Sequence, residues 1–324
     1  MATAPFLILL WCFAVGACVG SFLNVVAWRM PLGISLLWPG SHCPRCKKPI
    51  ALRDNVPVLG WLLLRGRCRA CGVSISPRYP IVEFLTGAAC ATLAWVELVE
   101  AGINLPELPP ETSTGLLGIW LFHSLLMALL IVLALFEIDA ARVPTSFIVL
   151  GVMAGIILPL IRPELSPQSP EAIIGKSQVA TLESSLVGTV AGLFFGGLIS
   201  WASTGNLFDR QSLLGYTALA LSLVGAFLGP EAVLTIAAVT AGLLVAARLA
   251  ELAMGRLLVR ATTVLAAVTL VFLLYWRQLT ELRWPGHYDG NGEIGFTALG
   301  IAILSLIVFV LTSRGAHRKT HTSR

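Results

Sequence analysis

Of 324 residues, 56% are apolar and only 12% are charged, against roughly a quarter charged in soluble domains. That composition excludes a soluble globular enzyme. The net charge of +5 gathers in two short segments, which points to anionic lipid head groups as its partner rather than nucleic acid.

In chain order, apolar stretches of about 18 to 25 residues recur, each long enough to cross a hydrocarbon core of about 30 Å. Nine are predicted, near 5–28, 79–99, 115–138, 146–162, 184–202, 211–229, 231–249, 257–276 and 295–313. The fourth is short, and only "GPE" separates the sixth from the seventh. The expectation is an all-α, polytopic membrane protein of eight or nine transmembrane helices with a small cytoplasmic insertion. Its parts are a first helix 1–28, an insertion 29–78, a membrane domain 79–313 and a basic tail 314–324. No Lys or Arg precedes the first stretch and its apolar run exceeds a signal-peptide core, so it is expected to remain as a helix. "VGAC" around Cys18 has the outline of a lipoprotein cleavage box but lacks the basic segment before it.

Basic residues set the orientation. Positions 29–78 carry nine Lys or Arg against one acid, Asp54, whereas 97–114 carries four Glu and no basic residue. The tail "RGAHRKTHTSR" is basic again. The insertion and the tail are therefore expected in the cytoplasm and the N-terminus outside.

Within the insertion, "CPRC" and "CRAC" are separated by 21 residues. Two such knuckles turn Cys43, Cys46, Cys68 and Cys71 toward one point, the donor set of a tetrahedral structural zinc. Flanking basic residues favour the thiolates, and a reducing cytoplasm disfavours disulfides. Cys12, Cys18 and Cys90 lie inside spans and are read as packing residues.

"GACVGSFLNVVAWRMP", the paired knuckles and "ISPRYPIVEFLTG" follow one another over residues 15–90. Together they resemble the bacterial type IV prepilin peptidases. The resemblance implies an enzyme of the bacterial inner membrane that cuts leaders from prepilins and pseudopilins at the cytoplasmic face. It also implies methylation of the new N-terminus with S-adenosylmethionine, associated with the cysteine-bearing segment, although no Gly-rich methyltransferase motif stands there. Proteolysis would rest on two aspartates on the cytoplasmic side of later spans.

The chemistry needs a pair because one ionised carboxylate takes a proton from water while a protonated one polarises the scissile carbonyl. Two nearby carboxyls cannot easily both ionise, so their roles separate. In the family the first aspartate lies seven residues before a Pro; here Glu137 stands there, with Asp139 two residues on, in "LALFEIDAARVPTS". Two apart on a helix, they face different ways. The second aspartate belongs to a G-x-G-D motif eight residues before the Gly of a "GAFLG"-like run; here Thr217 stands there, and a hydroxyl cannot replace a carboxylate's proton chemistry. The nearest acid, Asp209 in "TGNLFDRQ", is displaced by eight residues, about 12 Å along a helix. Glu137, Asp139 and Asp209 are thus the candidate catalytic residues of a re-sited aspartic-type peptidase. The alternative is a catalytically inactive relative that binds pilin-like helices or organises an assembly.

Glu83, five residues into the second span, is part of the resemblance and costly enough inside a membrane to suggest a role. His123 is read as isolated, a hydrogen-bonded packing residue. Gly188, Gly192 and Gly196 recur every four residues and predict close helix packing.

Overall fold

The computed structural model describes residues 3–105, 113–165, 178–204, 215–254 and 260–281. Eight helices account for most of them: α1 (Thr3–Arg29), α2 (Leu59–Leu63), α3 (Arg78–Ala94), α4 (Ser113–Ile138), α5 (Thr145–Ile161), α6 (Gln178–Thr204), α7 (Tyr216–Met254) and α8 (Ala261–Glu281). The described residues contain no strand, only two isolated bridges in the insertion, His42 with Pro49 and Arg67 with Ser74.

Among the described residues, six helices are long and apolar enough to cross a membrane, and the apolar Thr145–Ile161 is shorter. The protein is an all-helical, multi-pass membrane protein. The predicted sixth and seventh spans form one element, α7, broken at Gly229 (φ 81, ψ −179) just before Pro230. A straight helix of 39 residues would run about 58 Å, nearly twice the bilayer core. The φ-permissive glycine and the missing proline N–H divide it where "GPE" predicts a boundary. The predicted ninth stretch, 295–313, and the tail 314–324 lie outside the described residues.

Burial orders the bundle. The most apolar windows of α4 and α7 are 72% and 83% buried, against 28% for α1, so α4 and α7 form the centre and α1 the margin. Trp120, Phe136, Leu130, Leu133, Leu221 and Phe227 fill the core, with Phe122 stacked on Phe227 at 4.5 Å. Between lipid-soluble helices apolar area alone gives little driving force, so close backbone approach matters more. A Cβ on Gly192 would lie 2.1 Å from Leu221 O, so the predicted glycine stripe is the α6–α7 contact. Gly20 does the same for α1, since a Cβ there would sit 2.8 Å from Glu83 Cα.

Candidate metal knuckle and catalytic face

The insertion repeats one local design twice. In each "Cys-x-x-Cys" the fifth residue donates its N–H to the first cysteine's carbonyl: Lys47 to Cys43 O and Gly72 to Cys68 O, both at 2.9 Å. The turns require positive φ there, 58° at Lys47 and 70° at Gly72. Cys43 N–H then donates to Lys48 O and Cys68 N–H to Val73 O. The result gathers the sulfurs of Cys43, Cys46, Cys68 and Cys71 within 4.8 Å of one another. The Sγ atoms of Cys43 and Cys71 are 3.8 Å apart. A tetrahedral ion with sulfur bonds of about 2.3 Å needs sulfurs about 3.8 Å apart, so the cluster fits a bound metal.

The electrostatics fit it too. Cys43 falls to about 6, chiefly through the backbone N–H of Cys46, against opposing desolvation. At Cys71 the Val73 N–H lowers the thiol, but desolvation and hydrogen bonds with the other three sulfurs outweigh it and push it to about 11. One sulfur ionises readily and another is held back by its neighbours, a conflict that a cation in their midst resolves.

A chain of contacts joins this knuckle to the bundle. Arg69, between Cys68 and Cys71, grips Asp54 through two hydrogen bonds of 2.7 Å and holds that carboxyl below its usual range. A few residues on, Leu59 N–H donates to Pro57 O at 2.6 Å, which bends Val58 into a γ-turn at φ 61, ψ −54. Such a conformation is strained for a β-branched residue. Val58 N–H is taken by Glu83 Oε2 at 2.7 Å. Glu83 is thus a buried polar anchor between α3 and the insertion.

At the same end of the bundle the two acids of "FEIDAARVP" diverge. Asp139 accepts two hydrogen bonds from Arg78, at 2.5 and 2.7 Å, tying the end of α4 to the start of α3. Glu137 Oε2 accepts the backbone N–H of Thr262 at 3.0 Å and also the Thr262 hydroxyl. Glu137 therefore closes the N-terminus of α8, where free N–H groups favour an anion. Tyr216 OH donates to Ala141 O at 2.8 Å, so the start of α7, with buried Thr217 beside it, meets the turn that follows Glu137. Thr217, where the resemblance implies a second carboxylate, is a buried hydroxyl. Asp209 lies outside the described residues.

Sequence reasoning missed Thr262, Arg78 and Tyr216, whose partners are 125, 61 and 75 positions away. His123 is the hydrogen-bonded packing residue expected, but the expectation that it stands isolated fails. Far from isolated, His123 Nδ1 lies 2.6 Å from Glu97 Oε1, and Asn104 joins them, donating to Leu273 O at 2.7 Å. All three are fully buried. Glu97 lies in a π-helical turn, Trp95–Val99, at the end of the second span. An acid in the last turn of an apolar run was the available signal.

A helical membrane protein with a four-cysteine knuckle able to hold a metal ion between its first two spans, and a carboxylate at the same end of the bundle, is an architecture suited to work at a membrane surface. Residues 14–97 match the bacterial peptidase A24 N-terminal domain. The chain is 35% identical over 227 residues to the prepilin leader peptidase/N-methyltransferase of Myxococcus xanthus, an alignment spanning 68% of this chain but only 56% of that protein. It is 33% identical to that of Klebsiella pneumoniae, over 71% of this chain and 90% of the relative. It is 30% identical to the type 4 prepilin-like proteins leader peptide-processing enzyme of Escherichia coli, over 66% and 75%. No solved structure matches. The chain belongs to the prepilin leader peptidase/N-methyltransferase family.

Proposed function

We propose that this protein processes pilin-like precursors, hydrolysing a peptide bond in their leaders at the knuckle end of the bundle. That end would face the cytoplasm of a bacterium, with the N-terminus outside. The observation that carries the reading is Glu137, a half-buried carboxylate at the position of a family aspartate, held against Thr262 through Oε2. Asp139 is less suited, because two-point pairing with Arg78 already commits it. Glu137 would take a proton from water as the water oxygen attacks the scissile carbonyl carbon. Asp209, protonated, would donate to the carbonyl oxygen. Collapse of the tetrahedral intermediate then breaks the C–N bond, and the proton held by Glu137 passes to the leaving amine.

The knuckle cysteines would hold zinc, which supplies folding energy to the insertion rather than chemistry. Methyl transfer from S-adenosylmethionine to the new N-terminus is carried by the family relationship alone. A second reading, a pilin-binding scaffold without proteolysis, is favoured by one observation: buried Thr217 where the family has its second aspartate.

Purified protein with zinc, S-adenosylmethionine and a pilin-like precursor, followed by mass spectrometry, tests both. Glu137→Gln and Asp209→Asn are each expected to reduce cleavage by about a thousandfold, while Asp139→Asn retains it within about tenfold. Precursor that crosslinks to the folded, metal-bound protein and is never cut would establish the scaffold instead.

A further inference from the structure

The short helix α2 exposes Leu59, Leu62 and Leu63 at 57%, 55% and 77%. These are positions i, i+3 and i+4, one face. Its other face is used: Trp61 Nε1 donates to Ile75 O at 3.0 Å, and a Cβ on Gly66 would lie 2.8 Å from the indole. The leucines are therefore not an unfinished core of the insertion. They need an external apolar partner.

The height of α2 identifies that partner. Glu83 lies five residues past Arg78, the first residue of the second span, or about 7.5 Å along it. Helical side chains lean toward the N-terminus, and the Glu83 carboxylate meets Val58 N–H at 2.7 Å. The residue before α2 is thereby pinned level with the first turn of a membrane helix. Both ends of the insertion enter spans, so α2 lies at the boundary between head groups and acyl chains. Basic residues flank it, Arg53 before and Arg65 and Arg67 after, and the nearby acid Asp54 is occupied by Arg69. We infer that α2 is an interfacial helix that inserts Leu59, Leu62 and Leu63 into the anionic leaflet of the protein's own membrane, with the flanking arginines on lipid phosphates. The pinning by Glu83 explains the strained γ-turn at Val58, which aims the helix into that layer. This inference goes beyond peptide processing and does not depend on it.

The test uses the full chain in nanodiscs of phosphatidylglycerol with phosphatidylethanolamine, or of phosphatidylcholine alone. A benzophenone amino acid replaces Leu63, or exposed Lys48 as the control, and mass spectrometry reads adducts after illumination. Lipid adducts at position 63 are expected about tenfold above position 48. The Arg53→Gln/Arg65→Gln pair is expected to lower the phosphatidylglycerol share of those adducts about fivefold. Equal labelling at the two positions would overturn the inference. So would adducts that move from lipid to an added pilin-like apolar peptide, which would make the leucine face a substrate-docking surface. Leu62→Ser/Leu63→Ser, which removes only exposed apolar groups, should leave bound metal and helix content unchanged while shifting photolabelling at position 59 from lipid to solvent; unchanged labelling there would also overturn it.

Discussion

The knuckle and the carboxylate face lie at the same end of the molecule and were built by different kinds of information. Each knuckle is a local object: five residues, one positive φ and one N–H to carbonyl bond orient two sulfurs, and the second copy repeats the first. The carboxylate face instead gathers Arg78, Tyr216 and Thr262, from α3, α7 and α8, onto the single segment 137–141 at the end of α4. A local motif tolerates no change of spacing. A tertiary site can keep its scaffold while its residue types change, and here the contact with Thr262 is made by a glutamate, Glu137.

The largest expected effect strikes the knuckle. Cys46→Ser removes one of the four sulfurs placed to hold a metal ion, and structural zinc in small domains supplies on the order of 10 kcal/mol. Loss of metal and protease sensitivity confined to 29–78 are expected, with α4 and α7 intact; collapse of the whole bundle would break the comparison. Acid should act in the same direction. Cys43, depressed from 9.0 to about 6, contributes stability fully above pH 9 and loses it as pH falls through about 6. Metal content measured between pH 8 and 5 should therefore fall steeply near the lower end.

A second effect arises at the far end of the bundle, where Glu97, His123 and Asn104 are fully buried. Glu97→Leu leaves the imidazole without its partner and is expected to cost about 3–5 kcal/mol, read as a lowered unfolding temperature in detergent. Glu97→Gln should cost less, because an amide oxygen still accepts from His123. Equal losses would mean that shape rather than pairing holds this cluster.

These regions also differ in how far the sequence revealed them. Apolar length disclosed the spans, since a bilayer demands about 20 residues whatever packs beside them. It also placed the boundary inside α7, because the glycine at φ 81 and the proline after it stand between the two apolar runs. Cysteine spacing disclosed all four knuckle sulfurs. The partners of Glu137 and Asp139 stayed hidden, since Thr262 and Arg78 belong to helices distant in the chain, and neither position carries a signal of its own. Glu83 was legible as a costly intramembrane acid, while its partner, a backbone N–H, has no signature in sequence at all.

The carboxylate face itself yields a third, smaller effect. Thr262→Val keeps the backbone N–H to Glu137 and deletes the hydroxyl, for an expected loss of about 1–2 kcal/mol. Thr262→Ser should restore both stability and any cleavage. If valine lowers turnover while serine rescues it, Thr262 positions Glu137 for chemistry; if both retain full turnover, the contact only caps α8.

The smallest effect separates Asp139 from Glu137. Its side chain is 33% exposed and that of Arg78 is 36% exposed, so water and salt screen the pair, which is worth about 0–1 kcal/mol. Asp139→Asn should shift the unfolding temperature by no more than a few degrees. The shift should shrink further at high salt, as a charge interaction must and a packing defect would not. Glu137→Gln differs in kind, because the amide can still accept from Thr262 and hold the fold while losing the negative charge that the N-terminus of α8 favours. Two acids separated by one residue should therefore give opposite signatures. Asp139 would carry a small, salt-sensitive stability term with cleavage retained, and Glu137 a near-native fold with cleavage lost. If both variants cleave alike, neither carboxylate performs the proton transfer.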